Sequence, residues 1–145
     1  MDADPAALFR LSQDYIRRLE WDPFFRSASL VGGVREVAAG VRALCVARSV
    51  WAMETEYVSY NPPRAAAIKM TRGPWFLGSL AGSWRFDVVA LSRTRVGFCY
   101  RLRARPRLLP WLLTPTRARV FAWDTRHRLR ALKQAVERRG LLANL

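Results

Sequence analysis

A chain of 145 residues, 51% apolar, 25% charged and 12% aromatic, is long enough to bury ~68–70% of its unfolded surface around a core, and too apolar to be disordered as a whole. No apolar run approaches the ~18 residues of a membrane span, the longest candidate, Leu108 to Leu113, being broken by Pro110. The net charge of +14 is lopsided: residues 1–92 carry eleven Lys/Arg against nine Asp/Glu, and residues 93–145 carry fourteen against two, Asp124 and Glu137.

Asp4 and Pro5 open a short helix, the carboxylate capping free amides and the proline sitting where its missing N–H costs nothing. Leu8 and Leu11, with Phe9 beside them, give that helix a buried side. A second short helix is predicted over 13–19 and is ended by Trp21-Asp22-Pro23, because the residue before proline is pushed out of helical geometry. From Phe24 the apolar period changes to two, and strands are predicted at about 24–31, 41–48, 51–60, 64–71, 80–91 and 94–104. Gly32-Gly33, Ser49, Asn61-Pro62-Pro63, Arg72-Gly73-Pro74 and Ser92-Arg93 punctuate them, too tightly for crossover helices, so an antiparallel meander is expected. The last element is a helix at about 116–138, where Ala118, Phe121, Thr125, Leu129, Leu132 and Val136 form one apolar stripe opposite Arg119, Arg126, Arg130 and Lys133. The expected class is α+β, a single domain over 1–145 in which a curved sheet grips the C-terminal helix.

Chemistry-bearing motifs are sparse. There is no GxGxxG, P-loop or HExxH, and no set of clustered metal ligands, so no cofactor is expected. His127, the single histidine, falls on the arginine-rich side of the last helix, and Glu54 and Glu56 share an outward strand face. Cys45 and Cys99 form no CxxC and read as two buried thiols in a reducing compartment. The opening Met1-Asp2-Ala3-Asp4-Pro5 lacks the layout of a signal peptide, so a cytoplasmic location is the expectation.

The order of elements comes with particular words: Asp14-Tyr15, Arg18-Leu19-Glu20-Trp21-Asp22-Pro23-Phe24, Glu54-Thr55-Glu56-Tyr57, Tyr60-Asn61-Pro62-Pro63-Arg64, Gly82-Ser83-Trp84-Arg85-Phe86, Thr94-Arg95-Val96 and Leu129-Arg130-Ala131-Leu132-Lys133. Over about nine-tenths of its length the chain resembles the SRPBCC superfamily, the START-like or helix-grip proteins, and looks closest to the polyketide cyclase/dehydrase and lipid transport branch. The resemblance implies a hydrophobic cavity between sheet and long helix, and members that bind lipids, sterols, polyketides or quinones. The family usually opens with a strand, whereas only Met1 to Ala3 precede Asp4 here. Six strands with an open edge are therefore expected.

Strand alternation selects the candidate lining of that cavity: Trp51, Met53 and Tyr57 in one strand, Gly82, Trp84, Phe86 and Val88 in another, and Val96, Phe98, Tyr100 and Leu102 in the last, with Phe121 from the helix. Arg85, Tyr57 and Tyr100 are candidate polar groups to orient a hydrophobic ligand. Arg101, Arg103, Arg105, Arg107, Arg126 and Arg130, with Trp111 in the apolar tip Leu108 to Leu113, are candidates for contact with a polyanion. An anionic membrane surface is one such partner and a ribosome or RNA another. Binding or transport of a hydrophobic small molecule is the leading reading. A cofactor-free polyketide cyclase or dehydratase is the alternative, and a ribosome- or RNA-associating protein the second alternative.

Overall fold

A computed structural model describes residues 1–49, 51–105, 107 and 115–144. Helix α1 spans Pro5–Gln13, and the Asp4 carboxylate accepts from the amides of Ala6 (3.0 Å) and Ala7 (3.1 Å). The second helix does not follow at once. Asp14 Oδ1 accepts from the amides of Ile16 and Arg17, a local turn that competes with helix continuation, so α2 covers only Arg18–Trp21. Asp22 then repeats the device, its Oδ1 accepting from Phe24 N at 3.1 Å and turning the chain into the sheet.

Six strands follow in unbroken antiparallel order: β1 Phe25–Leu30, β2 Arg42–Ala47, β3 Ala52–Asn61, β4 Ala65–Arg72, β5 Leu77–Ala90 and β6 Arg93–Ala104. Helix α3, Pro115–Glu137, and a 3-10 turn, Leu141–Asn144, close the chain. This is the helix-grip architecture, a curled antiparallel half-barrel around a C-terminal helix. Alternation holds through β5, where Leu80, Gly82, Trp84 and Phe86 are buried while Ala81, Ser83, Arg85 and Asp87 are exposed. It fails at Val88, which is exposed beside a register shift between Val88 and Ala90; a bulge re-aims the side chains past it. A second shift, between Tyr57 and Ser59, lets Tyr57 and Tyr60 turn to the same side, their rings 6.0 Å apart.

The core joins Leu8, Phe9, Leu11 and Trp21 from the N-terminal helices to Tyr57, Ala66, Trp84 and Phe86 from the sheet and Leu132, Ala135 and Val136 from α3. β1 and β6 form the edges of the sheet. At β6 the N-terminus makes one backbone pair: Met1 donates to Thr94 O and accepts from Thr94 N, both at 2.9 Å, and Thr94 Oγ1 donates to Ala3 O. No helix among the described residues is long and apolar enough to cross a membrane.

Candidate functional site

The inner face of the sheet carries a ladder of rings. Phe9 meets Phe86 at 5.3 Å between centroids, Phe86 stacks on Trp84 at 6.2 Å, and Trp84 touches Phe98 at 4.4 Å. Tyr100 stands perpendicular to Phe98 at 4.3 Å. Burial falls along this ladder: Phe86 and Trp84 are packed core, whereas Phe98 and Tyr100 are half-buried, as is Met53 on β3. Tyr57 is buried, and its hydroxyl donates to Gln13 Oε1 at 2.8 Å and meets Tyr15 Oη at 3.1 Å. Gln13 Nε2 in turn donates to Ser12 Oγ at 2.8 Å, so the chain of polar groups is satisfied. Burial pushes the Tyr57 phenol well above its ordinary pKa, reinforced by Tyr15, and raises those of Tyr15 and Tyr100.

Within this aromatic wall lies a charged group. Asp22 accepts from Arg18 Nε at 3.0 Å and from Arg128 Nε and Nη2 at 3.2 and 2.7 Å. All three side chains are buried. Arg128 Nη1 also donates to the Tyr100 hydroxyl, and Arg18 Nη1 to the Ser12 carbonyl. Burial opposes ionisation of Asp22, but Arg128 and then Arg18 outweigh it and hold the carboxyl below its usual value. Burial likewise opposes the charge on Arg18, and Asp22 more than compensates. Two cations against one anion leave the group net positive, and ring faces take up the excess. Arg18 lies 4.9 Å from the Trp21 ring and 5.6 Å from Trp84, and Arg128 lies 4.9 Å from Phe25 and 5.3 Å from Phe98. Among the described residues, none supplies an acceptor for the buried Trp21 indole N–H.

Two clefts have residues of this site in their walls, Arg128 in one and Gln13 and Tyr15 in the other. One, of about 300 Å³, lies between α3, the Pro23-Phe24 segment and the Arg48-Ser49 turn, and is lined by Trp123, Asp124, His127 and Arg128. The other, of about 720 Å³, lies between the α1–α2 junction and the β1–β2 connection, with Tyr15, Leu30, Val37 and Tyr60 in its wall.

The candidate residues separate accordingly. Met53, Phe98 and Tyr100 have half-buried faces, while Tyr57, Trp84 and Phe86 are packed in the core. Trp51 precedes β3 and is exposed, turning instead to Phe76 at 4.9 Å. Arg85 is a correction: alternation with Trp84 and Phe86 sends it to the exposed outer face, opposite Ala65 and Gly97. Cys99 is another, since alternation with Phe98 and Tyr100 exposes it while Cys45 is buried. Arg101, Arg103, Arg105, Arg107, Arg126 and Arg130 are exposed. Trp111, the rest of the Leu108 to Leu113 tip and the Phe121 side chain lie outside the described residues. Arg128 and the Arg18–Asp22 pair went unremarked in the sequence, although Arg128 stands four residues before Leu132 and seven before Ala135, on the buried side of α3.

The family model described as polyketide cyclase / dehydrase and lipid transport matches residues 1–137. The chain belongs to that family. It is an SRPBCC protein of START-like type, and solved structures share its fold. A START superfamily protein from Mycobacterium smegmatis superposes with a TM-score of 0.77 at 10% identity, over 94% of this chain and 92% of that one. Ara h 8.0201 gives 0.70 at 11% identity, over 99% and 93%. The di-domain ARO/CYC BexL from the BE-7585A biosynthetic pathway gives 0.73 at 18% identity, over 94% of this chain and 44% of that one. The chain thus spans less than half of that two-domain protein. At such identities the likeness is one of fold. Curated protein sequences yield no match. Family and fold together support a hydrophobic-ligand-binding or polyketide-cyclase-type role.

Proposed function

We propose that the protein, acting as one unit over 1–145, binds a hydrophobic small molecule at the junction of sheet and α3. The observation that carries this reading is the 300 Å³ cleft that reaches Arg128, whose guanidinium holds Tyr100 at the half-buried end of the ring ladder. That volume is at the lower end of ligand pockets, which are mostly apolar with a few convergent polar groups. An apolar ligand body would enter against Phe24 and Trp123 in the cleft wall and reach toward the half-buried Phe98 and Tyr100, both of which Arg128 touches. Its polar end would be an acceptor such as a carbonyl or hydroxyl oxygen, matched to the net positive Arg18–Asp22–Arg128 group and to the Trp21 N–H, which has no acceptor among the described residues. Two free thiols suit a reducing compartment such as the cytoplasm.

The test is the affinity of an apolar fluorescent probe. Phe98→Ala should weaken binding about tenfold, in proportion to the contact area removed. Arg95→Ala, on the exposed outer face of β6 and away from the clefts, should leave it unchanged. Loss of stability in Phe98→Ala with unaltered probe affinity would assign the ring to the core and reject the reading.

One observation favours cyclase-type turnover as a second reading: Asp124 and His127 both line the cleft, and burial raises the Asp124 carboxyl pKa against the opposing charge of Arg128. Asp22 is a weak base, because two arginines lower its carboxyl pKa and occupy its oxygens. Turnover of a poly-β-ketone that survives Asp124→Asn and His127→Gln would remove this second reading.

A further inference from the structure

We infer that the end of the sheet where the β2–β3 turn, the β4–β5 turn and the end of β6 meet is a docking surface for anionic lipid bilayers. Trp51, Trp75 and Trp123 are 45%, 59% and 61% exposed. Trp51 and Trp75 both stand edge-on to Phe76, at 4.9 and 5.9 Å, and Phe76 O accepts from the Arg105 amide. Trp123 shares the α3 cleft with Arg48. Four separate elements thus bring three large amphipathic rings and Phe76 to one end of the molecule, among exposed Arg48, Arg103, Arg105, Arg107 and Arg126.

Charge complementarity names the partner. The carboxylates close in sequence to Trp51 and Trp123 are occupied or recessed: Glu54 pairs with Arg42 at 3.1 Å, and Asp124 is half-buried. Exposed tryptophan costs free energy in water and is stabilised at the boundary of headgroups and acyl chains, where its ring is apolar and its N–H finds acceptors. Arginines beside it attract anionic headgroups. A base-stacking platform spaces its rings along a groove that tracks the backbone, whereas Trp51 and Trp75 gather round the one Phe76 ring, at 4.9 and 5.9 Å, as a single apolar cluster suited to insertion. The surface stands whether or not the interior takes a ligand. If it does, the α3 cleft opens beside the bilayer.

Vesicle flotation tests this with phosphatidylcholine alone and with phosphatidylcholine plus phosphatidylglycerol. The wild type should float with the anionic vesicles, release with added salt, and ignore the zwitterionic ones. Trp51→Ala and Trp75→Ala should each reduce partitioning about tenfold, and Arg105→Ala and Arg107→Ala each about fivefold. Leu91→Ser, in a fully exposed residue at the opposite end of the β5–β6 hairpin, should change nothing. Brominated lipid should quench tryptophan fluorescence in the wild type. If Trp51→Ala does not fold, Trp75→Ala and Trp123→Ser carry the test, both sites being more than half exposed. The inference is overturned by failure to bind anionic vesicles, by equal losses from Leu91→Ser and Trp75→Ala, or by binding to single-stranded RNA that ignores the tryptophans while vesicles are not bound.

Discussion

Replacing Asp22 by asparagine removes the single anion between Arg18 and Arg128 while keeping the shape of the side chain. The carboxylate accepts from both guanidiniums and from the Phe24 amide, and all three charged side chains are buried. Leaving a buried cation without its partner costs about 3–5 kcal/mol, a large part of a total stability of about 5–15 kcal/mol. For 145 residues, an unfolding entropy of about 2.1 cal/mol/K per residue converts that loss to a fall in Tm of about 10–16 °C. The pH dependence fixes the mechanism. The folded-state pKa of Asp22 is depressed, so its contribution is fully present above the unfolded value of ~3.9 and is lost as pH falls through the folded value. Urea unfolding followed by circular dichroism should therefore show a gap between wild type and Asp22→Asn that is constant near neutrality and closes below about pH 4. A gap under about 1 kcal/mol, within the range of exposed pairs, or one that persists unchanged into acid, would refute the reasoning.

Tyr57→Phe should cost about 1–2 kcal/mol in the same assay, since it strips a donor from Gln13 Oε1 and a partner from the Tyr15 hydroxyl. A thiol reagent should label Cys99 in the native protein and reach Cys45 only on unfolding, because Cys45 is buried and burial raises its pKa; mass spectrometry of the labelled peptides reads this out. Thr94→Val should lower stability by about 1 kcal/mol through the buried hydrogen bond to Ala3 O, with loss of amide-exchange protection at Thr94, whose N–H bonds Met1 O.

The sheet was legible because period-two alternation is unforgiving: in β5 and β6 each second residue is apolar, and the turns carry glycine, proline or serine. The start of α1 was legible because Asp4 and Pro5 are specific to helix N-termini. The α1–α2 junction was not, since Asp14 takes two amides through a side chain that helical periodicity ignores. Strand bulges hid the inward turn of Tyr60 and the exposure of Val88, because an inserted residue reverses every later side-chain assignment on that strand. Most of the site was hidden for a different reason. Arginines sort by convention to the surface, and the +12 of the C-terminal region reads as a contact surface for a polyanion. Arg128 enters the interior only because Asp22, 106 residues earlier, supplies its counter-ion, a pairing that no local pattern encodes. The ring ladder was foreseen as a set, but its division into core and half-buried ends depends on how Phe9 and Trp21 fill the space beneath Trp84 and Phe86.

Native mass spectrometry of the purified protein tests the central claim, a hydrophobic ligand at the junction of sheet and α3, most directly. The account predicts a mass in excess of the polypeptide that organic extraction removes, that is diminished in Phe98→Ala and that is unchanged in Arg95→Ala. A wild-type mass equal to the bare chain, or an excess equally present in all three proteins, would contradict it.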